Sequence, residues 1–252
     1  MDQTTTQVLS ILIILLALVV IAVLSRRRRR PFPLRPIPAY ARIPDLVGES
    51  VESGRPLHLS LGSAGIGGES TVLAVASAEL AYQVTQRAAT GDTPPILTLT
   101  DSTALPLAQD TLRRAYQSRA LGTSYRYSSA RWFPYGSRSL AFAAAVGAMM
   151  DSDNVSANVL AGSYGPELAL IMDASFRQRV PVIAVSDQLE GQAVAFALAD
   201  APLIGEEVFA AGSYLDGSTH QMSESAAIDL LRWLLVLAML AGLVATIASQ
   251  GG

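Results

Sequence analysis

The residues best placed to do chemistry lie in two glycine-rich turns. The first reads Gly62-Ser63-Ala64-Gly65-Ile66-Gly67-Gly68-Glu69-Ser70. It follows a short apolar stretch and opens a helical pattern, so its backbone N–H groups and the helix N-terminus suit an anion. The spacing is neither G-x-G-x-x-G nor a Walker A loop, and Glu69 would repel a phosphate. A tight strand-to-helix turn that permits close packing is the plainer reading of the same residues.

The second turn reads Ala161-Gly162-Ser163-Tyr164-Gly165-Pro166-Glu167. Strand, serine, glycine and helix come in the order of a nucleophile elbow, and Asp187 and His220 follow in hydrolase chain order. His220, however, falls in a polar linker just before an apolar run. The plainer reading is a second small-residue turn. Gly162, Ser163 and Gly165 would then line one small-ligand cleft with Gly62, Ser63, Gly65, Gly67 and Gly68.

Composition removes several chemistries. All 18 basic residues are arginine, so Schiff-base and P-loop lysines are excluded. The absence of cysteine excludes disulfides, thiolate nucleophiles and cysteine-ligated metals. Two histidines, His58 and His220, cannot build a multi-histidine site, and His58 falls in a strand pattern. The acid pairs Asp151/Asp153 and Glu206/Glu207 suit a hard cation. Asp151-Ser152-Asp153-Asn154 reads more simply as a capped turn. No metal is assigned, and the sequence names no cofactor.

A third stretch, residues 116–135, holds six of the sixteen aromatics, with Arg119, Arg126 and Arg131 interleaved. Tyr125, Tyr127, Arg131, Trp132, Phe133 and Tyr135 are of the types that anchor protein interfaces. The other reading is a loop that folds its rings onto the core. Base stacking would use similar residues. Residues 31–225 carry 19 acids against 12 arginines, which argues against a nucleic-acid partner.

These residues need a frame, and the pattern predicts one. Strands are expected at residues 56–60, 96–100, 157–161, 182–186 and 201–203. Helices are expected at 69–88, 104–118, 138–150, 166–177, 189–198 and 205–215, and residues 122–137 read as irregular. Short apolar strands alternating with helices imply an α/β fold. The sheet would be doubly wound and mostly parallel, with helices on both faces.

The flanks read as membrane segments. Residues 8–24 are seventeen in a row without charge, proline or glycine. They would span about 26 Å as a helix, close to the ~30 Å hydrocarbon core. Arg26, Arg27, Arg28, Arg29 and Arg30 follow, and such a run stays on the cytoplasmic side. The retained charge after the apolar run is the reverse of a cleaved signal peptide. Residues 228–248 form a second apolar run, with Trp233 at its interface and small residues at fourfold spacing, Ala238, Gly242 and Thr246. The expected organisation is a membrane helix and arginine stop at 1–30 and a stalk at 31–54. A cytoplasmic α/β domain follows at 55–217, then a linker and second membrane helix at 218–252. Prolines 31, 33, 36, 38 and 44 predict an extended polyproline spacer over 31–44. Residues 45–52 read as a short helix.

The motifs GSAGIGGES, AGSYGPE, VIAVSDQLEGQAVAFALAD and LIGEEVFAAGSYL are similar to an uncharacterised family of prokaryotic membrane-anchored proteins, a domain of unknown function. The resemblance covers about residues 55–215. It implies a membrane-anchored α/β protein and no catalytic residue.

The expectation is therefore a non-enzymatic, membrane-anchored protein that self-associates, with the lipid bilayer and its own copies as partners. The second reading is a membrane-tethered sensor or carrier of a small anionic ligand or nucleotide. The third is a hydrolase using Ser163.

Overall fold

The sheet has six strands: β1 (Leu57–Gly62), β2 (Ile96–Leu99), β3 (Ala130–Trp132), β4 (Ala157–Ser163), β5 (Val182–Ser186) and β6 (Ala201–Pro202). Their order across the sheet is β3-β2-β1-β4-β5-β6, and all five pairings are parallel. The structure is a computed structural model and describes residues 35–135 and 139–216. Pro36–Leu215 is one unit; the other, Met1–Arg35 with Asp216–Gly252, lies almost wholly outside the described residues.

Among the described residues seven α-helices accompany the strands: α1 (Pro38–Ser53), α2 (Thr71–Ala88), α3 (Leu105–Ser118), α4 (Leu140–Ser152), α5 (Leu168–Gln178), α6 (Leu189–Leu198) and α7 (Ala211–Leu215). A 3₁₀ turn, Gly205–Ala210, precedes α7. Because side chains alternate along a strand, the sheet feeds two cores. Leu57, Leu59, Leu61, Leu97, Leu99, Val159, Ile183 and Val185 join buried residues of α1, α2, α3 and α7. Ile96, Leu160, Val182 and Ala184 join those of α4, α5 and α6. Burial on both faces explains why β1, β4 and β5 are buried along their whole length.

Two expectations fail. The polyproline spacer does not hold from Pro38 onward, where a sixteen-residue helix runs to Ser53. Ala39, Tyr40, Ile43, Leu46, Val47 and Ser50 recur at helical spacing and are buried. Pro38 sits in the first turn, where a missing N–H costs nothing. Pro44 lies inside the helix, and burial of the stripe outweighs its local cost. Tyr40 also donates to the Glu207 carbonyl at 2.6 Å and stacks on Tyr214 at 5.1 Å. Gly54, at φ 65°, ends the helix in the left-handed conformation that glycine adopts freely.

The second failure is in residues 122–137. They contain strand β3, paired with β2 through Leu97↔Ala130, Thr98↔Arg131 and Leu99↔Trp132. Three residues at a sheet edge, half exposed, leave no apolar run to read. The expected membrane runs, Arg26, Arg27, Arg28, Arg29, Arg30 and His220 lie outside the described residues. Among the described residues no helix is long and apolar enough to cross a membrane.

Candidate functional site

The strand order reverses between β1 and β4: β2 and β3 follow β1 on one side, β5 and β6 follow β4 on the other. In open parallel sheets the carboxyl ends flanking such a switch point are where ligands bind. Both glycine turns stand there. Gly62 pairs in register with Ser163 after an irregularity in the ladder. The backbone N–H and the hydroxyl of Ser63 both donate to the Ser163 carbonyl, each at 2.9 Å. The Thr100 amide donates to the Gly62 carbonyl at 2.9 Å, drawing in the end of β2.

The glycines serve close packing. A Cβ on Gly162 would collide with the Leu61 backbone, and one on Gly62 with the Ser163 carbonyl and the Tyr164 ring. Gly62 also has φ 58°, which L side chains adopt at a cost. In helix α6 a Cβ on Gly191 would strike the Tyr164 carbonyl.

The first turn fills its own hydrogen-bonding capacity. Ala64 N–H donates to Leu61 O at 3.1 Å. Gly65 N–H donates to Ser70 Oγ at 3.1 Å. Ile66 N–H donates to Thr103 Oγ1 at 2.9 Å. Gly67 and Gly68 both donate to Thr71 Oγ1, at 2.9 and 3.1 Å. Every amide from Ser63 to Gly68 thus meets an oxygen of the chain itself. Three hydroxyls occupy the positions that phosphate oxygens take in an anion-binding loop. The charge is also wrong for an anion. Asp101 Oδ1 accepts from the amide and hydroxyl of Thr103 at 2.8 and 2.7 Å, and its carboxylate lies where a Gly65 Cβ would project.

The second turn is filled in the same way. Ser186 Oγ accepts from Tyr164 N–H at 3.0 Å and from Gln188 N–H at 3.1 Å, and donates to Tyr164 O at 2.7 Å. Gly165 N–H donates to the buried Glu167 carboxylate at 2.8 Å. Ser163 Oγ accepts from the Gln188 side-chain amide at 2.9 Å. An amide cannot take the serine proton, so this partner supplies no general base.

The chain belongs to the family described as Domain of unknown function (DUF6754). The family match spans residues 1–251. No curated protein and no solved structure matches the chain. Family membership supplies no reaction and no ligand, so the remaining sites stand on their geometry.

The aromatic stretch divides. Tyr125 turns inward, against the first core, with its ring 6.2 Å from Tyr116 and 5.0 Å from Tyr127. Phe133 packs on the second core, and its amide donates to Leu99 O at 3.0 Å. Arg131 is ion-paired with Asp153. Trp132 Nε1–H donates to Thr100 O at 2.8 Å, which fixes the ring while leaving it 47% exposed. Tyr127 and Tyr135 are 67% and 46% exposed. The edge strand and the residues flanking it therefore expose three aromatic rings: Trp132 on β3, Tyr127 in the 3₁₀ turn before it and Tyr135 after it.

A polar chain crosses the sheet at His58, which is fully buried. Its Nδ1 is 2.8 Å from Asn158 Oδ1 and its Nε2 is 2.8 Å from Thr98 Oγ1. An amide oxygen only accepts, so Nδ1 carries the proton and Nε2 accepts from the threonine. Asn158 Nδ2 then donates to Ser175 Oγ at 2.8 Å, and Ser175 Oγ to Ile171 O at 2.8 Å. Burial pushes the imidazole down to about 4, against the Asn158 hydrogen bond, which acts in the opposite direction.

Sequence reading found the two turns, Ser70 included, and missed their partners: Thr71, Asp101, Thr103, Ser186 and Gln188. One signal was present. Asp101-Ser102-Thr103 directly after a strand is an N-cap pattern, and Asp101 does cap a 3₁₀ turn. Among the described residues no cluster of three His, Asp or Glu could hold a metal.

Proposed function

We propose that this chain is a membrane-anchored, self-associating structural protein that builds a homo-oligomeric assembly. The observation that carries the reading is the β3 edge of the sheet, where Trp132 on the strand, Tyr127 in the 3₁₀ turn before it and Tyr135 just after it are exposed, with Trp132 held by its hydrogen bond to Thr100. Exposed aromatics on a rigid support are what interface anchors require. The switch point supports the same reading, because its loops have already spent their donors on the chain's own oxygens. Anchoring rests on the apolar runs at 8–24 and 228–248. Confinement to a plane raises effective concentration, so a modest lateral contact suffices for assembly. A consistent tilt between neighbours would close a ring.

The test is the native mass of the full chain extracted in mild detergent. A discrete mass several times that of the monomer is expected. A monodisperse monomer across a wide concentration range overturns the proposal.

One observation favours a second reading, a membrane-tethered domain for a small anionic ligand or nucleotide: the strand order places both glycine turns at the switch point. Such a ligand would have to displace the Ser70, Thr71 and Thr103 hydroxyls. A small molecule that copurifies with monomeric protein, identified by mass spectrometry, would select this reading.

A further inference from the structure

The helix layer over β4 and β5 is open on its outer side. Helix α6 reads LEGQAVAFAL, with Glu190 as its one charged residue. Only Gly191 and Ala195 are buried, while Leu189, Phe196 and Leu198 are 83%, 66% and 57% exposed. A helix that is apolar nearly all round belongs in an interior. On α5, which packs beside it, Phe176 is 84% exposed. On the other face of the sheet α1 exposes Arg42, Asp45, Glu49 and Glu52 and α3 exposes Arg113 and Arg114, while the apolar side chains that α2 shows are only the smaller Val72 and Val75.

We infer that the α5–α6 face of one copy seats the aromatic β3 edge of a second copy of this chain. The inference rests on the self-association proposed above and names its contact. Position comes first. β3 and β6 are the two opposite edges of the sheet, and α6 leads into β6. A symmetric contact would cover one patch and leave the other bare. A head-to-tail contact covers both and repeats from copy to copy, closing into a ring when the rotation allows.

Charge supplies the second reason. Residues 116–135 carry Arg119, Arg126 and Arg131 and no acid. Residues 187–207 carry Asp187, Glu190, Asp200, Glu206 and Glu207 and no basic residue. With Arg131 already paired to Asp153 and Arg177 to Asp173, the charges left beside the rings, Arg119 and Arg126, are opposite in sign to the acids on and beside α6, which steers the rings toward α6 rather than toward Arg179 at the end of α5. Area is the third. Phe176, Leu189, Phe196 and Leu198 expose roughly 500 Å² and the three rings of the β3 edge roughly 400 Å². Monomers rarely expose more than a few hundred Å² in one apolar patch. Each is about half of the ~800 Å² per partner of a standard interface, in which the apolar centre is ringed by polar side chains.

The chain has no cysteine, so introduced thiols report one contact each. Full-length Tyr127→Cys and Phe196→Cys chains are prepared in mild detergent, singly and co-expressed, then oxidised. A disulfide-linked dimer is expected only when the two variants are together. In a second arm, Arg126→Glu lowers the native mass, and adding Glu190→Arg restores it, with both variants melting as the parent does. If the wild type is oligomeric but Phe196→Cys cross-links with itself, or neither thiol cross-links, this inference fails and self-association stands. If the charge exchange does not restore the mass, the inference likewise fails. A monomeric wild type removes both.

Discussion

His58 Nδ1 lies 2.8 Å from Asn158 Oδ1 across two paired strands, and the two residues are direct neighbours in the β1–β4 register. This puts a proton on Nδ1, and complete burial keeps the imidazole neutral, so that Nε2 accepts from Thr98. Burial holds its pKa near 4 against an ordinary value of 6.5. The folded-state pKa is the lower one, so the contribution is complete above pH 6.5. It is lost as the pH falls from 6.5 to about 4, because the unfolded chain takes up the proton first. The size is about 3 kcal/mol. Denaturant unfolding of the wild type and His58→Gln from pH 7.5 to 4 should show the wild type losing that margin relative to the variant. Parallel pH profiles would falsify the assignment.

The glycines of the first cleft should rank by what surrounds them. Gly162→Ala drives a methyl into the Leu61 backbone, which cannot move without breaking the β1–β4 pairing. A loss of 3 kcal/mol or more is expected, at the upper end of overpacking costs of about 1–3 kcal/mol. Gly67 has open space but φ 100°, so alanine there costs about 1–2 kcal/mol of backbone strain. Gly68 has neither restriction and should tolerate alanine. Thermal melts of the three variants, with and without added phosphate, check the order. Stabilisation of the wild type by phosphate, abolished in Gly67→Ala, would instead make this turn a binding loop.

Legibility in the sequence followed the range of the forces involved. Strand β5 and helix α6 have their expected bounds because an apolar run between Pro181 and Asp187, then a run of helix formers, are both local signals. The positions of the two glycine turns were legible for the same reason. What closes them was not: Thr103, from beyond β2, takes the Ile66 amide, and Gln188, from beyond β5, reaches Ser163. Those contacts exist only once parallel strands bring their carboxyl ends together. Strand β3 was hidden because an edge strand of three residues carries almost no periodicity. Helix α1 was legible only in its second half, residues 45–52; its first turns were hidden because five prolines set a strong local expectation that distant burial overrides.

The expected topology makes its own prediction. If residues 26–30 hold the chain by their charge, replacing all five arginines with glutamine should give mixed orientation, since little else near residues 8–24 sets a bias. The probe is Asn154→Cys. Asn154 is exposed in the loop before β4, so its thiol should resist impermeant reagents applied to intact cells in the parent and become partly reactive in the arginine variant. Full labelling of the parent from outside would reverse the assigned orientation.

Helix α1 decides where the folded unit begins. A spacer would tolerate substitution throughout, whereas a packed helix tolerates it only on its outer face. Ile43 is fully buried in the first core and Glu49 is exposed one and a half turns further on. Ile43→Ala should cost about 2–4 kcal/mol through lost burial and the cavity left behind. Glu49→Ala should stay within about 0.5 kcal/mol. Tyr40→Phe keeps the ring stacked on Tyr214 but removes the 2.6 Å bond to the Glu207 carbonyl. That buried acceptor then loses a donor, for a cost of about 1–2 kcal/mol. Equilibrium unfolding of the full chain separates the cases. Wild-type stability in both Ile43→Ala and Tyr40→Phe would return residues 38–53 to the role of a spacer. The expected pattern, two losses and one neutral change, places the start of the cooperative unit at Pro38, eighteen residues ahead of the first expected strand.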